Sequence, residues 1–260
     1  MSSHSYQWHS GSWQPFSGIP LTDRAFRHGM SAFATIRIYR GKYISLPEHL
    51  AKLRLTCAQL GLRLPPDDSA SLPPGIEHGL ARITVTAGDG SFLDPLNDGR
   101  LFLVLTPTPA EPPRPRSLAL LDTTHTPLFA GLKIGNYWPQ IDARRRAAVL
   151  HCDEAVLVNA SHHVISASLA NLFACIDGLL LTPRVNSGAR AGVTRDWVLS
   201  REDIIVGDFH PEQLREASDI FLTSSAYGIA PIACLDGKPL PCQSIGTRLQ
   251  ADYLHWLAAQ

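Results

Sequence analysis

A proline-rich segment divides this sequence into two unequal parts. Residues 106–117 read TPTPAEPPRPRS and contain five prolines. Because proline fixes φ and removes a backbone donor, such a run neither continues a helix nor lies inside a sheet. It favours a stiff, extended connection. We therefore predict an N-terminal α/β domain over residues 1–110, a linker over residues 111–116 and a C-terminal domain over residues 117–260.

The composition excludes several classes of protein. The formal net charge of the 260 residues is zero, so no basic surface for nucleic acid or anionic membranes is indicated. No apolar run approaches the roughly 20 residues of a membrane span. Residues 1–14 lack the apolar core of a signal peptide and are predicted to be a poorly ordered leader. The five cysteines are scattered without CxxC spacing, which is typical of reduced thiols in the cytoplasm, and no histidine pair has metal-ligand spacing.

Alternating and helical apolar patterns predict a mixed set of strands and helices in both parts. In the second part, Asp177-Gly178 predicts a tight hairpin turn, and Pro139 marks the first turn of a helix. The predicted strands cover residues 32–39, 43–46, 82–90, 101–105, 118–121, 154–158, 172–176 and 179–181. The predicted helices begin near residues 46, 139 and 192.

Lys133 is a candidate nucleophile. It is one of only four lysines in the chain and lies between Leu132 and Ile134, with Gly131 and Gly135 outside them. An amine that loses hydration among apolar groups has a lowered pKa and reacts more readily with aldehydes. A lysine whose stem lies along an apolar strand end gives the same pattern, so the local sequence leaves both interpretations open.

Three further stretches accompany Lys133 in a recognisable order. These are KIGNY at residues 133–137, DEAVLV at residues 153–158 and SLANLF at residues 168–173. Together they resemble the class IV aminotransferases, which bind pyridoxal 5'-phosphate (PLP) and include branched-chain and D-amino acid aminotransferases and aminodeoxychorismate lyase. The resemblance runs from about residue 21 to residue 240.

The resemblance implies a two-domain α/β fold of the α+β type, like that of D-amino acid aminotransferase. Its N-terminal α/β domain is small, its C-terminal domain is a larger mixed, barrel-like sheet, and the cofactor lies in the cleft between them. Family members commonly form homodimers and act on small amino substrates. Neither a metal nor a nucleic acid is expected.

The resemblance also assigns roles to single residues. Lys133 corresponds to the lysine that bonds to the PLP aldehyde. The backbone amides of Val193 and Thr194, at a predicted helix start, correspond to phosphate ligands, although Thr194 also suits a helix cap. Ser225, with Ser224 beside it, corresponds to a phosphate-binding hydroxyl or forms a simple polar turn. Lys52 stands where the family has a phosphate-binding arginine, and a solvated helix position explains it equally well.

Ser166 departs from the family pattern. It lies five residues before Asn171, where the family has a glutamate that keeps the pyridine nitrogen of PLP protonated. A hydroxyl forms a hydrogen bond with that nitrogen but does not hold a proton on it, so the electron sink is shallower. A β-elimination needs less of this sink than a transamination, because the leaving group takes up the charge.

Three interpretations follow. The first is a PLP-dependent lyase of the 4-amino-4-deoxychorismate type, which forms 4-aminobenzoate and pyruvate for folate synthesis. The segment from Leu222 to Ile232 favours it, since it carries Gly228 where aminotransferases often carry glutamate. The second is an aminotransferase for D- or branched-chain amino acids. The third, suggested by Lys52 and Ser166 together, is a non-catalytic, PLP-free homologue that keeps the fold for binding.

Overall fold

The computed structural model describes residues 3–16, 18–64, 72–74, 76–96, 99–110, 112–124 and 131–260. The chain forms two compact units. The first comprises Met1–Glu111, Leu132–Asn136 and Gln260, and the second comprises Pro112–Gly131 and Tyr137–Ala259. The short segment that carries Lys133 thus groups with the first unit, whereas the sequence interpretation counted it in the C-terminal domain.

The first unit is an antiparallel sheet with two helices. Within the described residues the strand order is β2-β1-β6-β5-β3-β4. The strands are β1 (His4–His9), β2 (Ser12–Pro15), β3 (Ser31–Tyr39), β4 (Lys42–Tyr43), β5 (His78–Thr86) and β6 (Leu101–Pro107). The helices are α1 (Arg24–His28) and α2 (Leu46–Leu60).

Strand β3 shows why this sheet has two different faces. Successive side chains of a strand point to opposite faces. Ala32 and Ile36 share one buried core with Leu50 and Leu53 of α2. Phe33 therefore points to the other face, away from α2. The sequence shows apolar residues at helical spacing in α2, and the face that carries them is the buried one.

The prediction of a poorly ordered leader is wrong for the described residues of the N-terminus. β1 and β2 form a hairpin, and β1 also pairs with β6, with Tyr6 opposite Leu103. The aromatic side chains of Tyr6, Trp8 and Trp13 pack against the core of the first unit. The sequence interpretation weighed polar composition and overlooked this spacing of aromatic residues, which stabilises the hairpin on the sheet.

In its described residues, the second unit is a mixed nine-stranded sheet with helices. The main strand order is β12-β11-β10-β13-β14-β7-β8-β9, and β15 pairs with β14. The strands are β7 (Arg116–Thr124), β8 (Glu154–Val158), β9 (Val164–Ala167), β10 (Asn171–Ile176), β11 (Leu179–Thr182), β12 (Ile205–Val206), β13 (Asp219–Ser224), β14 (Gly228–Leu235) and β15 (Lys238–Pro239). The helices are α3 (Trp138–Val149), α4 (Val193–Leu199), α5 (Pro211–Arg215) and α6 (Ser244–Ala258), with a 3-10 turn at Val185–Ser187.

The central strands of this sheet are buried on both faces. Leu172 of β10 lies in one core, while Phe173 stacks on Phe221 of β13 in another, which also contains Trp197 of α4. The turn predicted at Asp177-Gly178 is confirmed, since φ is positive at both residues. β7 already begins at Arg116, so the last residue of the predicted linker is part of a strand.

Candidate active site

Lys133 is held against β3 by the backbone. The amide of Phe33 donates to the carbonyl of Lys133 at 2.9 Å, and the amide of Gly135 donates to the carbonyl of Ser31 at 2.8 Å. A Cβ on Gly135 would lie 2.2 Å from the Ser31 side-chain oxygen, so only glycine allows the two segments to approach this closely. Gly135 thus helps to fix the backbone from which the Lys133 amine projects.

The amine of Lys133 lies over an aromatic ring. Its Nζ is 4.8 Å from the centre of the Phe33 ring, and the guanidinium carbon of Arg82 is 3.5 Å from the same centre. Thr35, opposite Arg82 in the β3–β5 pairing, shares the sheet face of Phe33. Sequence reasoning missed Arg82. Arg82 lies in β5 between Ala81 and Ile83, which are both buried. This alternation was the pattern in the sequence that could have identified it.

Lys52 occupies a different part of the first unit. It lies in α2 between the buried Leu50 and Leu53 and is partly exposed. α2 packs on the face of β3 that carries Ala32, whereas Lys133 contacts Phe33 on the other face. No observation on this helix tests the predicted role of Lys52 toward phosphate, which stays a prediction.

Asn171 orders the start of α4. Its side-chain amide donates to the carbonyl of Arg190 at 2.7 Å, and a Cβ on Gly192 would lie 2.2 Å from its side-chain oxygen. Gly192 is the N-cap of α4, so the first amides of that helix, Val193 and Thr194, have no partner within the helix. Sequence reasoning used Asn171 only to locate a motif, whereas the structure makes it the contact that positions this turn.

The serine pair lies near Asn171. Asn171 is opposite Thr223 in the β10–β13 pairing, and Ser224 follows as the last residue of β13. Ser224 and Ser225 are partly exposed, and the hydroxyl of Ser224 accepts a hydrogen bond from the Ala226 amide at 3.3 Å. One end of this strand pair therefore brings the serines and the start of α4 to the same part of the second unit.

Ser166 lies in β9, opposite Leu157 of β8, and is partly exposed between buried neighbours. The turn that follows it is fixed by hydrogen bonds. The Ser168 hydroxyl accepts from the Ala155 amide at 2.9 Å, and a carboxylate oxygen of Glu154 accepts from the Leu169 amide at 3.2 Å. The backbone between Ser166 and Asn171 is thus defined by β8.

Glu154 is a buried carboxylate that sequence reasoning missed as a site residue. Its Oε1 lies 3.6 Å from a guanidinium nitrogen of Arg116 and 4.0 Å from one of Arg144, without a hydrogen-bond partner among the described residues. Burial raises the pKa of Glu154, and the two arginines oppose that shift. Arg116 also stacks on the ring of Tyr227 at 4.0 Å, and burial raises the pKa of that phenol. This charged cluster connects β7, β8 and the turn after the serine pair.

Two further features bear on the kind of site. Across the described part of the chain, no three histidine, cysteine or acidic side chains come together as metal ligands would. None of the described helices is long and apolar enough to cross a membrane.

The chain belongs to the family Amino-transferase class IV, whose sequence pattern matches residues 31–235. It is 26% identical to a putative branched-chain-amino-acid aminotransferase of Methanocaldococcus jannaschii, over 88% of this chain and 86% of that protein. It is also 26% identical to an aminodeoxychorismate lyase of Vibrio harveyi, over 92% of this chain and 96% of that protein. The crystal structure of 4-amino-4-deoxychorismate lyase from Pseudomonas aeruginosa is similar, with a TM-score of 0.81 and 27% identity over 95% of this chain and 97% of that one.

Family membership confirms the predicted fold class and identifies the chain as a PLP-dependent enzyme. It therefore counts against the interpretation as a PLP-free homologue. The residues fit that cofactor in chemical terms, since Lys133 offers an amine and the first amides of α4 have no partner within that helix. The relatives include both lyases and aminotransferases at the same level of identity, so the reaction is a separate question.

Proposed function

We propose that this chain is a PLP-dependent lyase of the 4-amino-4-deoxychorismate type, releasing pyruvate and 4-aminobenzoate by β-elimination. The observation that carries the proposal is Ser166. A partly exposed hydroxyl in β9 stands where the family has a carboxylate, and Glu154 and Ser168 hold the turn that follows it. The similarity to lyases from Vibrio harveyi and Pseudomonas aeruginosa supports the same reaction.

Each site residue has a separate task in this proposal. PLP supplies an aldehyde and an electron-withdrawing ring. Lys133 would hold the aldehyde through its amine and would move the proton at the substrate Cα. The amides of Val193 and Thr194, with Ser224, Ser225 and Lys52, bind the phosphate. Lys52 and the helix start together counter the charge of the phosphate dianion.

Ser166 determines which reaction this site favours. A hydroxyl donates a hydrogen bond to the pyridine nitrogen but leaves the ring less electron-withdrawing than a carboxylate partner would. Elimination tolerates this weaker sink, because the departing enolpyruvyl oxygen takes the electron pair and the remaining ring becomes aromatic. The driving force then lies in the substrate more than in the cofactor.

Pyruvate release without an amino acceptor tests the proposal. The purified chain with PLP is mixed with 4-amino-4-deoxychorismate, and pyruvate is measured by a coupled dehydrogenase while 4-aminobenzoate is measured by fluorescence. Equal amounts of both products, in multiple turnovers, are expected. No release of either product above that of the Lys133→Ala variant would refute the lyase assignment.

A second candidate is an aminotransferase for branched-chain or D-amino acids. Arg82 favours it, because a guanidinium at 3.5 Å from the Phe33 ring, beside Lys133, suits the carboxylate of an amino acid. The archaeal branched-chain relative is as similar as the lyase. Keto-acid formation from D-alanine or L-leucine that depends on an added keto-acid acceptor would favour this candidate over the lyase.

The cellular setting is part of the same proposal. We expect a cytoplasmic homodimer that supplies 4-aminobenzoate for folate synthesis. Sedimentation equilibrium at several protein concentrations measures the oligomeric state directly, and a monomer at all concentrations would contradict the dimer. Growth of a strain that requires 4-aminobenzoate, restored by this chain and not by Lys133→Ala, would support the role in folate synthesis.

A further inference from the structure

Arg190 lies on the backbone that leads into α4. Its carbonyl accepts one hydrogen bond from the Asn171 side chain at 2.7 Å and another from the Gly192 amide at 2.9 Å. Ala189, the residue before it, is fully buried. The backbone of Arg190 is therefore held by Asn171 and Gly192 and follows the buried Ala189.

The guanidinium of Arg190 has an unusual partner. Tyr137 forms a hydrogen bond with it, and no carboxylate among the described residues acts on its charge. Arginines with a purely structural role generally meet an acid or several carbonyls. Arg184, six residues earlier, is such a case, since its guanidinium lies 3.7 Å from the Asp208 carboxylate and is mostly exposed.

Arg190 is surrounded by protein yet reachable by solvent. The residue is partly exposed, and burial nevertheless lowers its pKa, with the hydrogen bond to Tyr137 acting in the opposite direction. The guanidinium is thus partly desolvated, while its hydrogen-bond partner Tyr137 is a phenol. A cation in such a place, with a neutral partner, attracts an anion more strongly than one in open water.

An unsatisfied hydroxyl lies on the strand opposite Asn171, whose side chain binds the Arg190 carbonyl. The hydroxyl of Thr223 is buried and has no hydrogen-bond partner among the described residues. Thr223 is directly opposite Asn171, so the two side chains share a face of the sheet. Buried hydroxyls in native proteins are nearly always paired, which makes this one a further sign that a ligand belongs here.

We propose that Arg190, oriented by Tyr137, binds an oxyanion of the reactants, either the phosphate of PLP or a carboxylate of the substrate. A guanidinium presents two parallel donors, which matches both groups. The inference rests on the proposed function for the identity of the ligands. It adds a residue to the site that the resemblance did not assign.

Two binding measurements on the full chain separate the two sources. The PLP dissociation constant is obtained from quenching of tryptophan fluorescence, and the affinity of the PLP-loaded protein for maleate, an unreactive dicarboxylate, is obtained from the shift of the cofactor absorbance. Arg190→Gln is compared with wild type, and Arg184→Gln is the matched control. Arg190→Lys keeps the charge and removes the paired donors.

If the phosphate is the ligand, Arg190→Gln weakens PLP binding about tenfold or more and leaves maleate binding unchanged. If a carboxylate is the ligand, maleate binding weakens about tenfold and PLP binding does not change. Arg190→Lys is expected to recover part of either loss. Changes in both affinities that stay within about twofold, as for Arg184→Gln, would overturn the proposal.

Two other outcomes have defined meanings. If Arg190→Gln and Arg190→Lys both fail to fold by circular dichroism, the guanidinium holds the fold together and the proposal is wrong. If wild type releases no pyruvate but Arg190→Gln still alters PLP or maleate binding, the proposed lyase reaction fails and the Arg190 inference stands.

Discussion

The surroundings of Arg24 in the first unit and of Glu154 in the second show two ways of burying charge. Arg24 is fully buried and donates to the carbonyls of Gly88, Ser91 and Asp94 at 3.2, 3.1 and 3.0 Å, and also to two others. Its neighbour Asp23 accepts from Arg100, from Thr86 and from the start of α1, each at 2.8 Å. Among the described residues, no buried side-chain nitrogen or oxygen of Arg24 or Asp23 lacks a partner.

The region of Glu154 is not complete in the same way. One oxygen of Glu154 and the hydroxyl of Tyr227, whose ring stacks on Arg116, are buried without hydrogen-bond partners among the described residues. Networks that are satisfied by protein atoms stabilise a fold, whereas unsatisfied ones lower stability and are retained where function needs them. We therefore expect substitutions near Arg24 to alter folding and substitutions in the second region to alter binding or titration.

Lys133→Ala gives the largest expected effect and tests the functional side of this contrast. Turnover should fall by at least about a thousandfold, because no other amine takes its place in the reaction. The free energy of unfolding should change little, since the backbone bonds of this segment remain. Lys52→Ala is the comparison and should leave turnover measurable at saturating PLP. Turnover that survives in Lys133→Ala would contradict the mechanism.

Arg24→Met tests the structural side. The substitution leaves several carbonyls of the loop over residues 87–95 without donors, and we expect the free energy of unfolding to drop by about 3 kcal/mol. Urea unfolding followed by tryptophan fluorescence measures it. The exposed Arg27, changed to methionine, is the control, with an expected change within about 0.5 kcal/mol. Equal effects of the two variants would show that the Arg24 network does not hold the fold.

Ser166→Glu should change the preference between reactions and have a smaller effect. A carboxylate at this position holds a proton on the pyridine nitrogen and raises the pKa of that nitrogen by roughly one unit. Single-turnover keto-acid formation from an amino acid should therefore rise several-fold. Ser161→Glu, in the exposed turn before β9, is the control. A rate that stays the same or falls would remove the physical basis for preferring a lyase.

Glu154→Gln should have the smallest effect, which appears as a dependence on pH. Burial raises the pKa of Glu154 in the folded state, so the folded chain binds more protons than the unfolded chain between the two pKa values. The stability contributed by Glu154 is therefore present at low pH and lost as pH rises through the raised pKa. The stability of wild type relative to the variant should therefore decrease as pH rises from the ordinary pKa of a glutamate through the raised one. A difference that does not vary with pH would show that Glu154 does not titrate differently on folding.

The sequence predicts those features that depend on local patterns. The turn at Asp177-Gly178, the helix that buries Leu50 and Leu53, and the glycine at the start of α4 all follow from spacing. The pairing of the N-terminal hairpin with β6 was missed because it joins residues that lie far apart in the sequence, such as Tyr6 and Leu103. No local pattern encodes such a register.

The same limit applies to the site. Lys133 was identifiable because lysine is rare in this chain and glycines flank it. Glu154 and Arg190 were not identifiable from the sequence. In the fold, an oxygen of Glu154 is left without a hydrogen-bond donor and the Arg190 guanidinium without a carboxylate among the described residues. That property depends on the folded neighbourhood and not on residue type.

The attachment of the Lys133 segment to β3 has a genetic consequence. The chain enters the second unit at Pro112, returns to the first at Leu132 and leaves it again after Asn136. A gene cut at the proline-rich segment would give an N-terminal fragment that lacks the amine and a C-terminal fragment that carries the amine without the strand on which it is ordered. A crossover at the proline-rich segment therefore separates the reactive lysine from the strand that orders it.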